Sequence, residues 1–314
     1  MKNALSAILG SMLMAVPAAV EAQFSYITNS DGVSLTITGY AGSGGTVTIP
    51  ACINGLAVVN IGVEAFNSCF SLTNVTIPSS VTSIGVEAFN SCFSLTNVTI
   101  PNSVTDIGAE AFNSCSSLTS ITIPGSVTDI AVETFQFCFS LTSVTIPNSV
   151  TSIGEGAFDS CSSLTNLTIP NSVTDIGEGA FEFCDSLAGV FFTGNPPTAD
   201  KSVFLGVTNA TIYYLSSATG WSSSFGGRPA VLWNPLIGAN GSDFGVKDGQ
   251  FGFNIIGTAN IPIVVEACTN LANPVWVPLQ PLSLTNSVAI YGFVYFGEPF
   301  QAESSGRFYR ISSP

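Results

Sequence analysis

Residues 77–99 read IPSSVTSIGVEAFNSCFSLTNVT, and the reading of the whole chain starts from them. Here and just beyond, apolar residues fall at Val81, Ile84, Ala88, Phe89, Cys92, Leu95, Val98 and Ile100. The same places, Thr134 apart, are apolar again in each following block, because Pro78, Pro101, Pro124, Pro147 and Pro170 open successive 23-residue copies of the stretch. Pro50 opens a 28-residue version with an insertion near Asn54-Gly55, which makes six blocks ending near Phe192. Within a block, Leu95, Val98 and Ile100 are spaced so that alternate residues share one face, as in a strand. The fixed register predicts one parallel strand per coil at Leu72 to Ile77 and its successors, stacked into a β-rich solenoid.

One such block has two faces to bury and too few residues to do it alone, so stability requires stacking and covered ends. At the front, residues 23–49 carry alternating apolar runs around Asn29-Ser30-Asp31-Gly32 and predict a β-hairpin cap. Behind the six repeats of residues 50–192, residues 193–235 read as a degenerate final coil and C-terminal cap. Residues 236–250, rich in Gly, Asn, Ser and Asp, read as a linker. Short β-patterned runs at 251–256, 263–267, 288–296 and 307–311 then predict a small antiparallel β domain over residues 251–314. At the other end, Lys2, an apolar stretch from Ala4 to Val20 and the small-x-small triplet Val20-Glu21-Ala22 have the form of a signal peptide over residues 1–22, with cleavage before Gln23. The mature chain is then expected to be secreted or at the cell surface, with no membrane insertion after cleavage.

The repeat pattern IPxSVTxIGxxAFxxCxSLTxVT, with its Leu-x-x-Val-x-Ile strand, resembles the BspA-like class of bacterial leucine-rich repeats, and the resemblance covers Pro50 to about Phe192. Residues 194–227, with Gly194-Asn195-Pro196-Pro197, Tyr213-Tyr214 and Gly220-Trp221, are similar to the degenerate coil that closes such arrays. The resemblance implies an exported or surface protein that acts by binding, adhesion among the possibilities, and it carries over no catalytic residue.

Composition narrows the chemistry further. The net charge of −14, with six Lys+Arg, argues against a nucleic-acid partner, since phosphate contacts need cations. Histidine is absent, which removes imidazole bases and His-ligated zinc. All of the mature net negative charge lies on the array: residues 24–200 hold fourteen Asp+Glu and no Lys or Arg, while residues 201–314 hold five of each sign. Mutual repulsion favours a monomer. No enzyme activity, metal site or cofactor is expected.

Four sets of residues stand out. Cys69, Cys92, Cys115, Cys138, Cys161 and Cys184 recur every 23 residues. Side chains at one repeat position run parallel, whereas a disulfide needs them to converge, so a ladder of buried thiols is favoured over bridges. Glu64, Glu87, Glu110 and Glu133 form one acidic column and Asp106, Asp129 and Asp175 another, both read as hydrated surface acids. Asn74, Thr76, Asn97 and Thr99 begin a flat, uniform row on the outward strand face, suited to a repetitive target such as a polysaccharide. Phe70, Phe93 and Phe139 follow the column cysteine where Ser116, Ser162 and Asp185 stand in other blocks, so the position is expected to be exposed, and the rings either form an apolar patch for a protein partner or pack against the preceding coil. The rival reading is a structural spacer that displays the C-terminal domain, which suits the identity of residues 62–78 and 85–101 over seventeen positions.

Overall fold

A computed structural model describes residues 23–238 without interruption, then 245–247, 250–258, 261–269, 271, 274–283, 285–288, 291–299 and 307–312. The leader read over residues 1–22 lies outside the described residues. All regular structure among them is β. Each coil of the array has three sides, and each side meets the next coil through its own set of backbone hydrogen bonds.

The first side is the expected strand. Leu72–Thr76, Asn97–Thr99, Ser120–Thr122, Ser143–Thr145, Asn166–Ile169 and Gly189–Phe192 occupy the same repeat position, and every pair bonded there is parallel with a 23-residue offset, such as Val75 with Val98. The second side is a strand of only two residues, Ser83–Ile84, Asp106–Ile107, Asp129–Ile130, Ser152–Ile153 and Asp175–Ile176. Glycine follows it because the coils touch there: a Cβ on Gly85 would lie 2.7 Å from the Gly62 carbonyl carbon, and one on Gly108 would lie 2.6 Å from the Val86 nitrogen. In the fourth block Ala131 stands in this column. The nitrogens of Gly85, Gly108, Gly154 and Gly177 bond back to the preceding coil, but Ala131 makes no such bond, and the two-residue ladder is unpaired between Asp106–Ile107 and Asp129–Ile130.

The third side is a run of turns, and the stack depends on two positions with left-handed backbone. Glu64, Glu87, Glu110 and Glu133 have φ of 53–56°, as do Ser68, Ser91, Ser114 and Ser160 at 59–61°. One stands at each end of a five-residue run, in which every second N–H points along the stack. At the junction of the second and third coils, Glu87, Phe89 and Ser91 donate to Ala109, Ala111 and Asn113 at 2.8–3.0 Å. The same triplet recurs at the junctions of the first five coils with their successors, so this side is continuous where the strand side lapses.

Between the sides runs a fully buried column of aromatic rings, Phe66, Phe89, Phe112, Phe135, Phe158, Phe181 and Phe204, with centroids 4.8–5.6 Å apart and planes within 17°. At the front, the hairpin Phe24–Thr28 and Ser34–Tyr40 heads the second side by pairing Ser34–Tyr40 parallel to Leu56–Ile61, while Gly45–Thr48 heads the first side beside Leu72–Thr76. Asn54-Gly55 turns a small hairpin with φ of 52° and 79°, the left-handed pair such a two-residue loop requires.

Two features differ from the sequence reading. The strand ladder runs on past Phe192 through Thr211–Leu215 and Arg228–Trp233, both parallel, so residues 193–235 add two further rungs. The segment read as a linker, residues 236–250, carries strands Leu236–Gly238 and Gly245–Lys247, both antiparallel to Gln250–Thr258. Leu236 and Ile237 are apolar amid Gly-rich surroundings and follow the last rung after Asn234 and Pro235. Beyond them the chain forms two antiparallel sheets, one built on Gln250–Thr258 with Tyr291–Pro299, the other ordered Val277–Ser283, Pro262–Cys268, Phe308–Ser312. Pro278 and Pro281 break the sequence pattern of the strand Val277–Ser283, which lies at a sheet edge, where a missing N–H is tolerated.

Candidate functional site

The turn side carries the largest exposed apolar groups of the array. Phe70 and Phe93 are 54% and 45% exposed and stack on each other with centroids 5.2 Å apart and planes within 7°. Stacking one coil apart makes a single flat aromatic plate out of two side chains that the core does not use. In the next coil the position is Ser116, whose hydroxyl donates to the Phe93 carbonyl at 3.3 Å. Serine thus satisfies the fold at this place, and phenylalanine there adds surface rather than cohesion.

Phe139, 48% exposed, is not part of that plate. It lies beyond Ser116 and instead meets Phe137, at 6.0 Å between centroids. Phe137 and Phe183 occupy the left-handed column held elsewhere by Ser68, Ser91, Ser114, Ser160 and Gly206. The sequence reading missed both residues, although their departure from a serine column was visible in the repeat alignment.

On the strand side, Thr76, Asn97 and Thr99 point outward and are exposed, while Asn74 is half-buried. Asn74 is held by neighbours, its amide donating to Thr73 Oγ1 at 3.1 Å and more weakly to Thr46 Oγ1. The row is uncharged through Asn166 and Thr168, and then changes character: Phe191 and Tyr213 continue the Thr168 position in register. They stack at 4.8 Å and are buried beneath Phe253, Ile255, Ile261, Ile263 and Val265 of the C-terminal sheets. The end of the strand face is therefore occupied by the chain itself. Aromatic residues in a threonine row were the sequence signal for this contact.

The remaining columns hold the stack together. Cys92, Cys115, Cys138, Cys161 and Cys184 are buried, and each thiol donates to a phenylalanine carbonyl of the preceding coil at 3.2–3.3 Å, Cys92 to Phe66 for example. Burial raises their pKa, to about 12 for Cys92, Cys138 and Cys184, which keeps the thiols neutral donors. Cys69 departs from the expected ladder: it is half-buried, because no earlier coil covers it, and its pKa is raised less far. No disulfide joins any of the eight cysteines. The glutamates of the first acidic column sit at the left-handed position; where Glu155 and Glu178 shift by one place, Gly156 and Gly179 take it over. Asp129 accepts from Ser152 Oγ at 2.6 Å and from Thr128 Oγ1 at 2.7 Å, and these bonds lower its pKa. Among the described residues no three metal-binding side chains converge.

Residues 48–144 and 128–224 match the model of the BspA type leucine rich repeat region, in six copies that together span more than half of the chain. Among solved structures, a T. pallidum leucine-rich repeat protein is similar over 64% of this chain and 86% of its own, at 31% identity and a TM-score of 0.43. A leucine-rich cell surface protein from Faecalibacterium prausnitzii is similar over 62% and 70% respectively, at 29% identity and a TM-score of 0.44. No curated protein matches the chain. With its 23-residue unit, its parallel strand ladder in 23-residue register and this family match, the chain belongs to the BspA-type leucine-rich repeat proteins.

Proposed function

We propose that this is an exported protein that binds another macromolecule without catalysis, at or outside the cell surface, through the aromatic plate of Phe70 and Phe93. The observation that carries the reading is that two large apolar side chains lie stacked and about half exposed where serine satisfies the fold. An exposed apolar pair releases roughly 25 cal/mol per Å² when a partner covers it, whereas the hydroxyls and amides of the strand face merely exchange water for partner bonds, at about 1 kcal/mol each. The leader pattern of residues 1–22 supports export, and the absence of histidine supports a non-catalytic role.

A protein is the favoured partner for the plate. A polysaccharide suits the uncharged row of Asn74, Thr76, Asn97 and Thr99, whose regular spacing matches a repetitive chain. The test is a pull-down from the native surroundings with Phe70→Ser/Phe93→Ser and, separately, Thr76→Ala/Thr99→Ala. Loss of the partner in the phenylalanine variant alone supports the plate; loss in the threonine variant alone moves the site to the strand face. The spacer reading has one observation in its favour, the C-terminal sheets seated on Phe191 and Tyr213, which give the array a fixed end to display. It predicts that neither variant loses anything.

A further inference from the structure

We infer that the turn side of the fourth to sixth repeats carries a second docking surface, whose occupant is a Lys/Arg-rich segment of a protein partner laid across Phe137, Phe139 and Phe183. The inference rests on the reading of the array as a non-catalytic binder, but on different residues from the plate.

Phe137 and Phe183 hold φ of 59° and 52°, a region that bulky side chains avoid because Cβ crowds the backbone. The fold imposes that conformation on the column, and Ser or Gly meets it elsewhere at lower cost. Burial offsets that strain only in part. Phe137 is 37% and Phe183 48% exposed, the Phe183 ring lying over Gly206, which has no side chain to obstruct it. The strain persists in any complex, but a partner laid on the rings would bury the apolar surface that folding leaves exposed.

The charge beside them selects the partner. The position before each left-handed residue is neutral in the early repeats, Asn67, Asn90, Asn113 and Gln136, and acidic in the later ones, Asp159 and Glu182. The Asp159 carboxylate accepts from the side-chain amide of Gln136, the residue before Phe137, at 2.8 Å and from Ser160 Oγ at 2.9 Å, and Asp185 donates its backbone N–H to the Phe183 carbonyl, so the carboxylates stand on the side of the coil that carries the rings. The carboxyl of Glu182 is pushed above the usual range by partial burial and then by the negative charges of Asp159 and Glu178. No Lys or Arg between residues 24 and 200 relieves that repulsion. Lysine and arginine on a partner would neutralise the carboxylates while their cations and apolar stems lie against the ring faces. The plate at Phe70 and Phe93 lies beside the neutral part of the same column, so the two surfaces differ in the partner they favour.

The probe is a labelled 15-residue peptide of alternating Lys, Leu and Arg, titrated by fluorescence anisotropy into the mature chain, with a counterpart carrying Gln for every Lys and Arg. Phe137→Ser/Phe183→Ser, which copies the other coils, is expected to weaken binding roughly tenfold without lowering Tm. Asp159→Asn/Glu182→Gln is expected to weaken it similarly and to flatten its salt dependence. Phe70→Ser/Phe93→Ser should leave the titration unchanged, so the outcome is separate from that of the pull-down. The inference is overturned if the cationic peptide does not bind at low salt, if the Gln peptide binds equally well, if the Phe70/Phe93 variant weakens binding as much, or if Phe137→Ser/Phe183→Ser keeps full affinity. It is also overturned if Asp106→Asn/Asp175→Asn, on another side of the coil, weakens binding as much as the Asp159/Glu182 pair.

Discussion

A buried thiol in this array does the work of a small apolar side chain and of a hydrogen-bond donor at once, and both depend on its proton. The usual thiol pKa near 9 applies to the unfolded chain, while Cys92, Cys138 and Cys184 stay protonated to about pH 12 when folded. A raised folded pKa means that their contribution is complete below about pH 9 and is lost as pH climbs toward 12. Each such thiol removes about 1.4 kcal/mol of stability per pH unit inside that window. Urea midpoints should therefore be level between neutral pH and about pH 8.5 and fall steeply by about pH 10, with a shallower fall in Cys138→Ala. A level profile throughout would show that the column is not a set of buried protonated thiols. The period of the cysteines was plain in the sequence and gave their column; what it did not carry was the exception at Cys69, because exposure there depends on which coil comes first. The left-handed phenylalanines stayed hidden for a similar reason. Sequence shows that Phe137 replaces serine, but the sign of φ is a property of the turn.

At the level of the coil, the closeness of approach is set by one glycine column. Gly85→Ala places a methyl against the Gly62–Val63 backbone, with no flexible side chain to give way, and should cost about 2 kcal/mol. Ala131→Gly is expected to do the reverse. Closing the gap restores bonds from the nitrogens of Thr128 and Ala131, which their counterparts Thr105 and Gly108 make. At about 1 kcal/mol each, these outweigh the 0.5–1 kcal/mol or so by which glycine loosens the unfolded chain. Thermal unfolding of the two variants checks both signs. Phe112, stacked between Phe89 and Phe135 and wholly buried, is the opposite case: Phe112→Ala should cost about 3–5 kcal/mol and lower the urea midpoint accordingly. The strand and the inward residues were legible because, apart from Thr134 in the column of Ala88, they repeat in every coil. The triplets of hydrogen bonds along the turn side were not, since no alternation marks a segment whose donors are aligned by positive φ.

Over the whole molecule, the array and the C-terminal sheets share apolar residues. Phe191 and Tyr213 pack with Phe253, Ile255 and Val265, so Phe191→Ser/Tyr213→Ser should free the C-terminal sheets from the strand face. The expected result is a separate, earlier unfolding transition in calorimetry and faster proteolysis within residues 236–250. Unchanged melting as a single unit would place the coupling elsewhere.

The junctions along the turn side also bear on how such a molecule changes length. Residues 62–78 and 85–101 are identical, and the bonds from Phe66 to Ala88 and from Phe89 to Ala111 measure 2.7 and 2.8 Å. Deleting residues 78–100 joins Ile77 to Pro101, so each remaining coil meets a neighbour of the kind it already had. The shortened chain should fold with circular dichroism unaltered in shape. Misalignment between the two copies during replication adds or removes whole coils and never a fraction of one. The reach of the protein is thus inherited in steps of about 4.8 Å, the spacing of adjacent strands, while both ends keep their caps and whatever they hold.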